Sequence, residues 1–450
     1  MPWVVSVSGA RGVVGDGLTP DLVVRLAAAH ATLCGGGPLA IGRDSRVSGP
    51  MVLAAAACGV QACGADVLEL GIVPTPTVQL AVELLACRGG LVVSASHNPP
   101  EWNALKFVGG SGSFLTADEG RRMLEIFEGG RQAWAPYDRL GALRAQPGAP
   151  EAHLQRVLSL SAVDVPAVRA RRFKVVLDCA HGAGAVVTAP LLQALGCETW
   201  VLGGEPTGRF SRGAEPVPEN LGELGEEVRR RQADLGLAHD PDADRLAAVD
   251  ETGRPIGEEY TLALCADHVL GLRPGPVVMN LSTSELSAEV ARRHGAPVFR
   301  TPVGEAHVVQ GMREHGAVVG GEGNGGLILP ECHLGRDGSA AAAVLLSGLA
   351  RRGGRLSEWV ASLPVYHLRK TRQPGRAAPE RLRTAVRAAF PEGRFDERDG
   401  IRVDLEGGWV QVRASGTEPI SRILAEARDP GRAEELCGRA GQAWRAAREG

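Results

Sequence analysis

The chain has 450 residues and a formal charge of −3, with Arg, Asp and Glu dispersed along it. That length exceeds one ordinary core and predicts three or four domains, while the dispersed charge leaves no basic patch for nucleic acid and no polybasic membrane anchor. The opening Met-Pro-Trp-Val-Val-Ser-Val-Ser-Gly lacks a signal-peptide pattern, and no apolar run reaches spanning length without Gly or charge. A soluble cytoplasmic protein with a small-molecule ligand is expected. Nine Cys without a C-x-x-C pair read as reduced, mostly buried residues, and 4% aromatics with abundant Gly and Ala suit tightly wound α/β layers.

Strands and amphipathic helices alternate from the start. Pro38 to Ile41 predicts a strand, Gly49 to Cys63 an Ala-rich helix, Ala65 to Leu70 a strand, Thr75 to Leu85 a helix and Leu91 to Val93 a further strand. The βαβαβ order restarts at Lys174 to Leu177, running to a strand at 234–238, and again at Pro276 to Asn280, running to a strand at 317–319. After about Pro364 the order changes: a helix at Pro379 to Ala389, strands at Ile401 to Leu405 and Trp409 to Arg413, a turn, and a C-terminal helix. Pro-Gly-rich stretches near 136–150 and 373–379 read as linkers. The fold class is therefore α/β, three similar mixed α/β domains at 1–145, 146–250 and 251–365, followed by an α+β domain at 366–450. Ligands of open α/β sheets bind beyond the carboxyl ends of strands, so one loop of each unit can face a single cleft.

Four loops carry candidate chemistry. In the first, the strand ending at Val93 runs into a polar turn containing Ser96 and Lys106, and Asn98-Pro99-Pro100 stops both helix and strand, so the turn projects as a displayed nucleophile does. Lys106 is one of three Lys in an Arg-biased chain, with Lys174 and Lys370, and ammonium can give up a proton where guanidinium cannot. A hydrogen-bonded Ser/Asn turn explains the same string. In the second, Asp240, Asp242 and Asp244 alternate just after a strand; three hard oxygen ligands without His or Cys suit Mg²⁺ or Mn²⁺. An EF-hand is rejected because Arg245 stands where that loop needs Gly, and an exposed acidic turn is the bland alternative.

The third loop, Gly320 to Gly326, contains Gly-x-Gly-x-x-Gly, but Glu322 inside it would repel a pyrophosphate. Glu322 and Asn324 suit sugar hydroxyls better. The chain has no P-loop, since none of its lysines follows Gly in the required frame. The fourth, Arg413-Ala414-Ser415-Gly416-Thr417-Glu418-Pro419, sits between a strand and the C-terminal helix and offers a guanidinium fork, two hydroxyls and a flexible Gly, the parts of a phosphate cradle or of an ordinary turn.

These loops, in this order, together with Ser8-Gly9-Ala10-Arg11-Gly12, Gly42-Arg43-Asp44-Ser45-Arg46 and Gly335-Arg336-Asp337-Gly338, strongly resemble the α-D-phosphohexomutase superfamily of phosphoglucomutases, phosphomannomutases and phosphoglucosamine mutases. The resemblance implies four domains around a central cleft. It implies that Ser96 is phosphorylated, that Asp240, Asp242 and Asp244 hold one Mg²⁺ together with a phosphate oxygen on Ser96, and that Arg11 and Lys106 assist proton transfer. It places His97 beside the serine and substrate, Arg245, Gly304, Glu305, Glu322 and Asn324 against the sugar, and Arg413, Ser415, Gly416 and Thr417 on the distal phosphate. The implied reaction interconverts a hexose 6-phosphate and a hexose 1-phosphate through a 1,6-bisphosphate, which also serves as activator, in a monomer or homodimer with no nucleic-acid or membrane partner. Many relatives carry Gly-Glu-x-Ser-Gly-His where this chain has Glu322-Gly323-Asn324-Gly325-Gly326, and His181 stands where Asn is common. Glucosamine phosphate is therefore only narrowly preferred over mannose and glucose phosphates. A serine-dependent metal phosphatase and a non-catalytic sugar-phosphate-binding protein are the rival readings.

Overall fold

Residues 4–6, 9–415 and 420–449 are described by a computed structural model, in which the predicted strands and helices of the three α/β units lie close to their expected bounds. The periodicity did not reveal that each unit closes with an antiparallel strand. In the first unit, Leu39–Arg43 lies between Val67–Ile72 and Gly89–Val93, parallel to both, and Trp102–Gly109 turns back antiparallel along Gly89–Val93. The second repeats this with Lys174–Asp178, Glu198–Leu202 and Leu235–His239, closed by antiparallel Leu246–Asp250. The third repeats it with Val277–Asn280, Val298–Thr301 and Val319–Glu322, closed by antiparallel Gly326–Ile328. Thus the Ser96 turn, the Asp loop and the Glu322 loop occupy one topological position, the hairpin connection at the carboxyl end of the third parallel strand.

The first sheet is enlarged by Val4–Ser6 and Gly9–Val13 on one edge and Leu143–Ala145 on the other. The predicted linker at 136–150 is therefore part of the fold: Leu143–Ala145 pairs with Val67–Ile72, and helix Ala149–Leu158 begins within it. The predicted linker at 373–379 likewise starts inside strand His367–Pro374. That strand was not expected, and neither was Ile420–Ala427. Both belong to the five-stranded antiparallel sheet of the last domain, ordered His367–Pro374, Ile420–Ala427, Gly408–Ala414, Ile401–Leu405, Arg394–Asp396. Strand His367–Pro374 escaped because Arg and Lys crowd it, and its partner because charged Arg422 and Glu426 interrupt its apolar run.

The second and third units share one hydrophobic cluster that includes Leu177, Leu237, Leu264, Val277 and Leu345. Helix Gly338–Arg352 runs through it with every residue from Gly338 to Leu349 buried, as an apolar surface on all sides requires. Its first turn is fixed by Asp337, whose Oδ1 accepts from the backbone N–H groups of Ser339 (2.9 Å) and Ala340 (3.0 Å).

The strands leading to Ser96 and carrying Lys106 are tied from below by His30 of helix Pro20–Leu33. Its Nε2 lies 3.1 Å from both Gly90 O and Val108 O, and burial pushes the imidazole down from 6.5 to about 4. An unfolded chain takes up a proton at this residue near its ordinary value, whereas the folded chain refuses it until about 4. Stability at this position is therefore full above pH 6.5 and falls as pH drops through the window, by about 3 kcal/mol at roughly 1.4 kcal/mol per pH unit. His30→Gln, which retains a donor, should give a flatter decline of urea midpoint between pH 7 and 4 than the wild type; an unchanged slope would remove His30 from the acid response.

Candidate active site

The turn after Gly89–Val93 is held by one arginine. Arg46, 1% exposed, donates from NH2 to Ser96 O (2.6 Å) and Asn98 O (2.6 Å) and from NH1 to Pro99 O (2.6 Å) and Trp102 O (2.9 Å), while its Nε pairs with buried Asp44 at 3.1 Å. The planar fork satisfies carbonyls that Pro99 and Pro100 leave outside any ladder, which an ammonium could not do. Ser96 itself has φ +50°, a left-handed conformation that non-glycine residues adopt at some cost, and Ser94 Oγ accepts its N–H at 2.9 Å. Arg11 NH1 reaches Asn98 Oδ1 at 3.1 Å from strand Gly9–Val13.

Lys106 is not in this turn. It sits inside strand Trp102–Gly109, opposite Val92, because the chain reverses at Pro99 and Pro100 and returns along the sheet. From there its Nζ lies 2.6 Å from Asp242 Oδ2 and 3.8 Å from Asp244 Oδ2. Burial alone would strip its proton, but the two carboxylates overcome this and raise the ammonium above its ordinary value.

Asp240, Asp242 and Asp244 are fully buried, so the exposed-turn alternative does not hold. Their ligand oxygens lie within 4.8 Å of one another, and Ser96 Oγ donates to Asp240 Oδ2 at 2.8 Å. Burial and then the charges of Asp244 and Asp242 push Asp240 well up. Asp242 is also penalised by burial, yet Lys106 and the Thr75 hydroxyl, at 2.5 Å, hold it well below the usual carboxylate range. Oδ1 of Asp242 and Oδ1 of Asp244 are buried without a hydrogen-bond partner among the described residues. Around this point the buried carboxylates Asp242, Asp244, Glu305 and Glu322, with Asp240 beside them, are paired with the buried cations Lys106, Arg245 and Arg336. Two unpartnered carboxylate oxygens in a donor set that is oxygen throughout fit a hard cation.

Arg336 joins the metal-type loop to the sugar-type loops. Its guanidinium reaches Asp244 at 2.6 Å, Glu322 at 2.6 Å and Glu305 at 3.0 Å. Glu322 Oε1 further accepts from Asn280 (2.7 Å) and from the Gly304 N–H (3.0 Å). Burial would raise Glu322, but Arg336 and these donors keep it ionised below its ordinary value, whereas burial raises Glu305 despite Arg336. Gln79, from the first unit, donates to Glu305 at 2.8 Å. Asn324 Oδ1 is buried and has no hydrogen-bond partner among the described residues. Arg245 pairs with Glu215 at 3.1 Å and stands 3.7 Å from Asp244. His97, with Nδ1 3.4 Å from Ser96 Oγ, is held neutral by burial and by the charges of Arg245, Arg11 and Arg422, which converge on it from three domains.

In the last domain, the loop expected between a strand and a helix instead joins two antiparallel strands, Gly408–Ala414 and Ile420–Ala427. Gly416 and Thr417 lie outside the described residues. Ser415 is buried, its N–H donating to Ile420 O at 2.8 Å. Arg413 stands 3.9 Å from Asp399, and burial lowers its guanidinium. Its register partner is Arg422, whose own partner on the other side is Arg372, so three guanidinium side chains line up on one face of the sheet. Like charges directly across a ladder repel, which makes this row a place for an anion.

Sequence reasoning missed Arg422, Arg372, Thr75 and Gln79, and gave Arg46 and Arg336 no role although both lie in motifs already singled out. Arg422 and Arg372 had no local signal, because their strands were not recognised.

Residues 4–133 match phosphoglucomutase/phosphomannomutase alpha/beta/alpha domain I, residues 151–253 domain II, residues 257–366 domain III and residues 371–440 the C-terminal domain. A chain carrying all four in order, around this cleft, is an isomerase of the phosphohexomutase class. A protein of Methanopyrus kandleri named "Probable phosphoglucosamine mutase" is 41% identical over 95% of both chains. A "Phosphoglucomutase/phosphomannomutase" of Thermococcus kodakarensis is 37% identical over 95% of both. A crystal structure of a phosphoglucomutase/phosphomannomutase family protein from Burkholderia thailandensis superposes with a TM-score of 0.86 at 27% identity, covering 98% of this chain and 96% of that one. The chain belongs to the phosphoglucomutase/phosphomannomutase family. Among the described residues no helix is long and apolar enough to cross a membrane.

Arg46→Met should destabilise the fold by about 3–5 kcal/mol in urea unfolding, because it leaves Asp44 as an unpaired buried charge. Adding Asp44→Asn should recover part of that loss; no recovery would mean the carbonyl clamp, and not the ion pair, carries the effect.

Proposed function

We propose that the chain interconverts glucosamine 6-phosphate and glucosamine 1-phosphate through phosphorylated Ser96 and a 1,6-bisphosphate that also primes the enzyme. The observation that carries this reading is Ser96 Oγ, displayed on a strained turn and aimed at Asp240 within a buried oxygen triad. The Glu322-Gly323-Asn324 loop and the name of the Methanopyrus kandleri relative support glucosamine over mannose and glucose. On this reading the domains span 1–145, 146–250, 251–365 and 366–450 and deliver one loop each, from a cytoplasmic monomer or homodimer.

Ser96 Oγ, Asp240, Asp242 and Asp244 would hold one Mg²⁺. When bound, it supplies neutralisation of the phosphoryl oxygens in flight. In the first half-reaction the P–O bond to Ser96 Oγ breaks as the free sugar hydroxyl forms its own P–O bond, and the hydroxyl proton ends on Ser96 Oγ. Lys106 and Arg11, on neighbouring strands beside Ser96, assist this transfer, Lys106 as the group able to exchange a proton and Arg11 as a fixed positive charge that steadies the oxygen losing it. His97, kept neutral, orients the serine. Glu305, Glu322 and Asn324 meet the sugar hydroxyls, with Gly304 shaping their loop and Arg245 at the edge of the triad. Arg413, Ser415, Gly416 and Thr417 grip the phosphate that is not reacting, and since either phosphate fits, the bisphosphate can turn over and return its other phosphate to Ser96.

The direct experiment compares 1-phosphate formation from glucosamine, mannose and glucose 6-phosphates, with Mg²⁺ and catalytic 1,6-bisphosphate. Glucosamine should lead; phosphate release matching isomerisation would point to water as acceptor and to the phosphatase reading. Ser96→Ala should lower kcat by about three orders of magnitude or more and show no phosphorylated species by intact mass. Asp242→Asn should abolish turnover or raise the Mg²⁺ requirement, and an unaltered metal response would remove the triad from the site. Arg413→Ala should raise KM about tenfold or more, the loss of a charge-assisted contact of roughly 1.5–3 kcal/mol.

A further inference from the structure

At the seam where the first unit, helix Ala149–Leu158 and the loop before helix Gly338–Arg352 meet, a second cluster of ligand-type side chains is assembled. His153, Cys332, His333 and Asp337 are each 2% exposed or less. Asp337 Oδ2 lies 2.8 Å from His153 Nε2, 3.3 Å from His333 Nε2 and 3.6 Å from Cys332 Sγ. The ligand atoms of His153, Cys332 and Asp337 all fall within 4.8 Å of one another. None of these side chains has a part in the phosphoryl chemistry above.

As a hydrogen-bonded hub the cluster is poorly served. Three donors crowd a single carboxylate oxygen, since Asp337 Oδ1 is spent on the helix N–H groups of Ser339 and Ala340. His333 Nδ1 is buried without a hydrogen-bond partner among the described residues. Burial and Asp337 together push the Cys332 thiol well up, so without an ion it stays protonated in a site it does little to satisfy. His153, by contrast, is set as a metal-binding imidazole usually is, its Nδ1 fixed 2.8 Å from Thr77 Oγ1 so that Nε2 faces the cluster.

We propose that His153 Nε2, Cys332 Sγ, Asp337 Oδ2 and an imidazole nitrogen of His333 bind a borderline-soft divalent cation of the zinc type. Tetrahedral bonds of about 2.0–2.3 Å place ligand atoms roughly 3.3–3.6 Å apart. The oxygen-to-His333 and oxygen-to-sulfur spacings, 3.3 and 3.6 Å, already meet this, His153 must withdraw slightly from 2.8 Å, and His333, which stands outside the group formed by the other three, must turn in toward them to complete the tetrahedron. On binding, Cys332 gives its proton to solvent and the imidazoles bind neutral. One thiolate and one carboxylate then cancel the charge of the ion, the form least costly to bury. Sulfur and nitrogen ligands disfavour Mg²⁺, so the two metal sites differ in selectivity. The ion would fasten helix Thr75–Leu84, helix Ala149–Leu158 and the Arg336 loop into one seam.

The test adds Co²⁺ to the full-length protein in the presence of excess Mg²⁺. A thiolate-to-cobalt charge-transfer band should appear and saturate at one equivalent, which the all-oxygen triad cannot produce, and Zn²⁺ should displace it. The band should be lost in Cys332→Ser and His153→Gln and kept in Asp242→Asn. Zinc K-edge absorption of the wild type, which needs no variant to fold, should show one sulfur among nitrogen and oxygen neighbours. A wild type with no band, a band that survives in Cys332→Ser, or a zinc site without sulfur would each overturn the proposal.

Discussion

Three carboxylates buried in one five-residue stretch are the constraint around which this protein is arranged. Asp240, Asp242 and Asp244 could not ionise together in an apolar interior unless positive charge were brought to them. The first unit supplies Lys106, the second Arg245 and the third Arg336, so three sheets are held in a fixed relation by one electrostatic demand. Even then Oδ1 of Asp242 and Oδ1 of Asp244 stay without a hydrogen-bond partner among the described residues, and these unmet acceptors are what make the triad suited to a divalent ion.

The demand can be met at one point because a single piece of topology is used three times. In every unit the third parallel strand ends at the same face of its sheet and turns back antiparallel, so the connection is a short hairpin loop and not a long crossover. Short connections hold side chains precisely, and the three of them carry Ser96, the Asp triad and Glu322. The shared core of the second and third units, threaded by the buried helix Gly338–Arg352, keeps two of the loops in register. Arg46 and His30 do the same for the third, one clamping the turn carbonyls and the other tying the strands that lead into and out of it.

The last domain obeys a different logic. Its sheet is antiparallel throughout, and a row of guanidinium groups, Arg372, Arg422 and Arg413, runs across one face of it. It meets the third unit largely through polar contacts: Ser282 donates to Gln411 at 2.6 Å, Lys370 lies 2.8 and 3.1 Å from Glu258 and Glu259, and Arg402 donates to Leu281 O. The hydrophobic cluster of the last domain is separate from the one shared by the second and third units, so polar contacts do most of the joining at this boundary.

What the sequence determined by itself was whatever depends on neighbours along the chain. Asn98-Pro99-Pro100 dictates that the strand before Ser96 must stop, alternation within 240–244 puts three carboxylates into one loop, and the Ala-rich periodic stretches can only be buried helices. Order along the chain was enough to expose the family. It misled where a short polar stretch hid a strand: Trp102 to Lys106 reads as turn, and only the sheet shows Lys106 directed at Asp242, 136 residues away in sequence. In the same way Arg46 and Arg336 are ordinary members of an Arg-rich chain until folding selects the carbonyls and carboxylates they face. Tertiary structure decided these pairings because Coulombic and hydrogen-bond partners are chosen by distance in space, to which local spacing is blind.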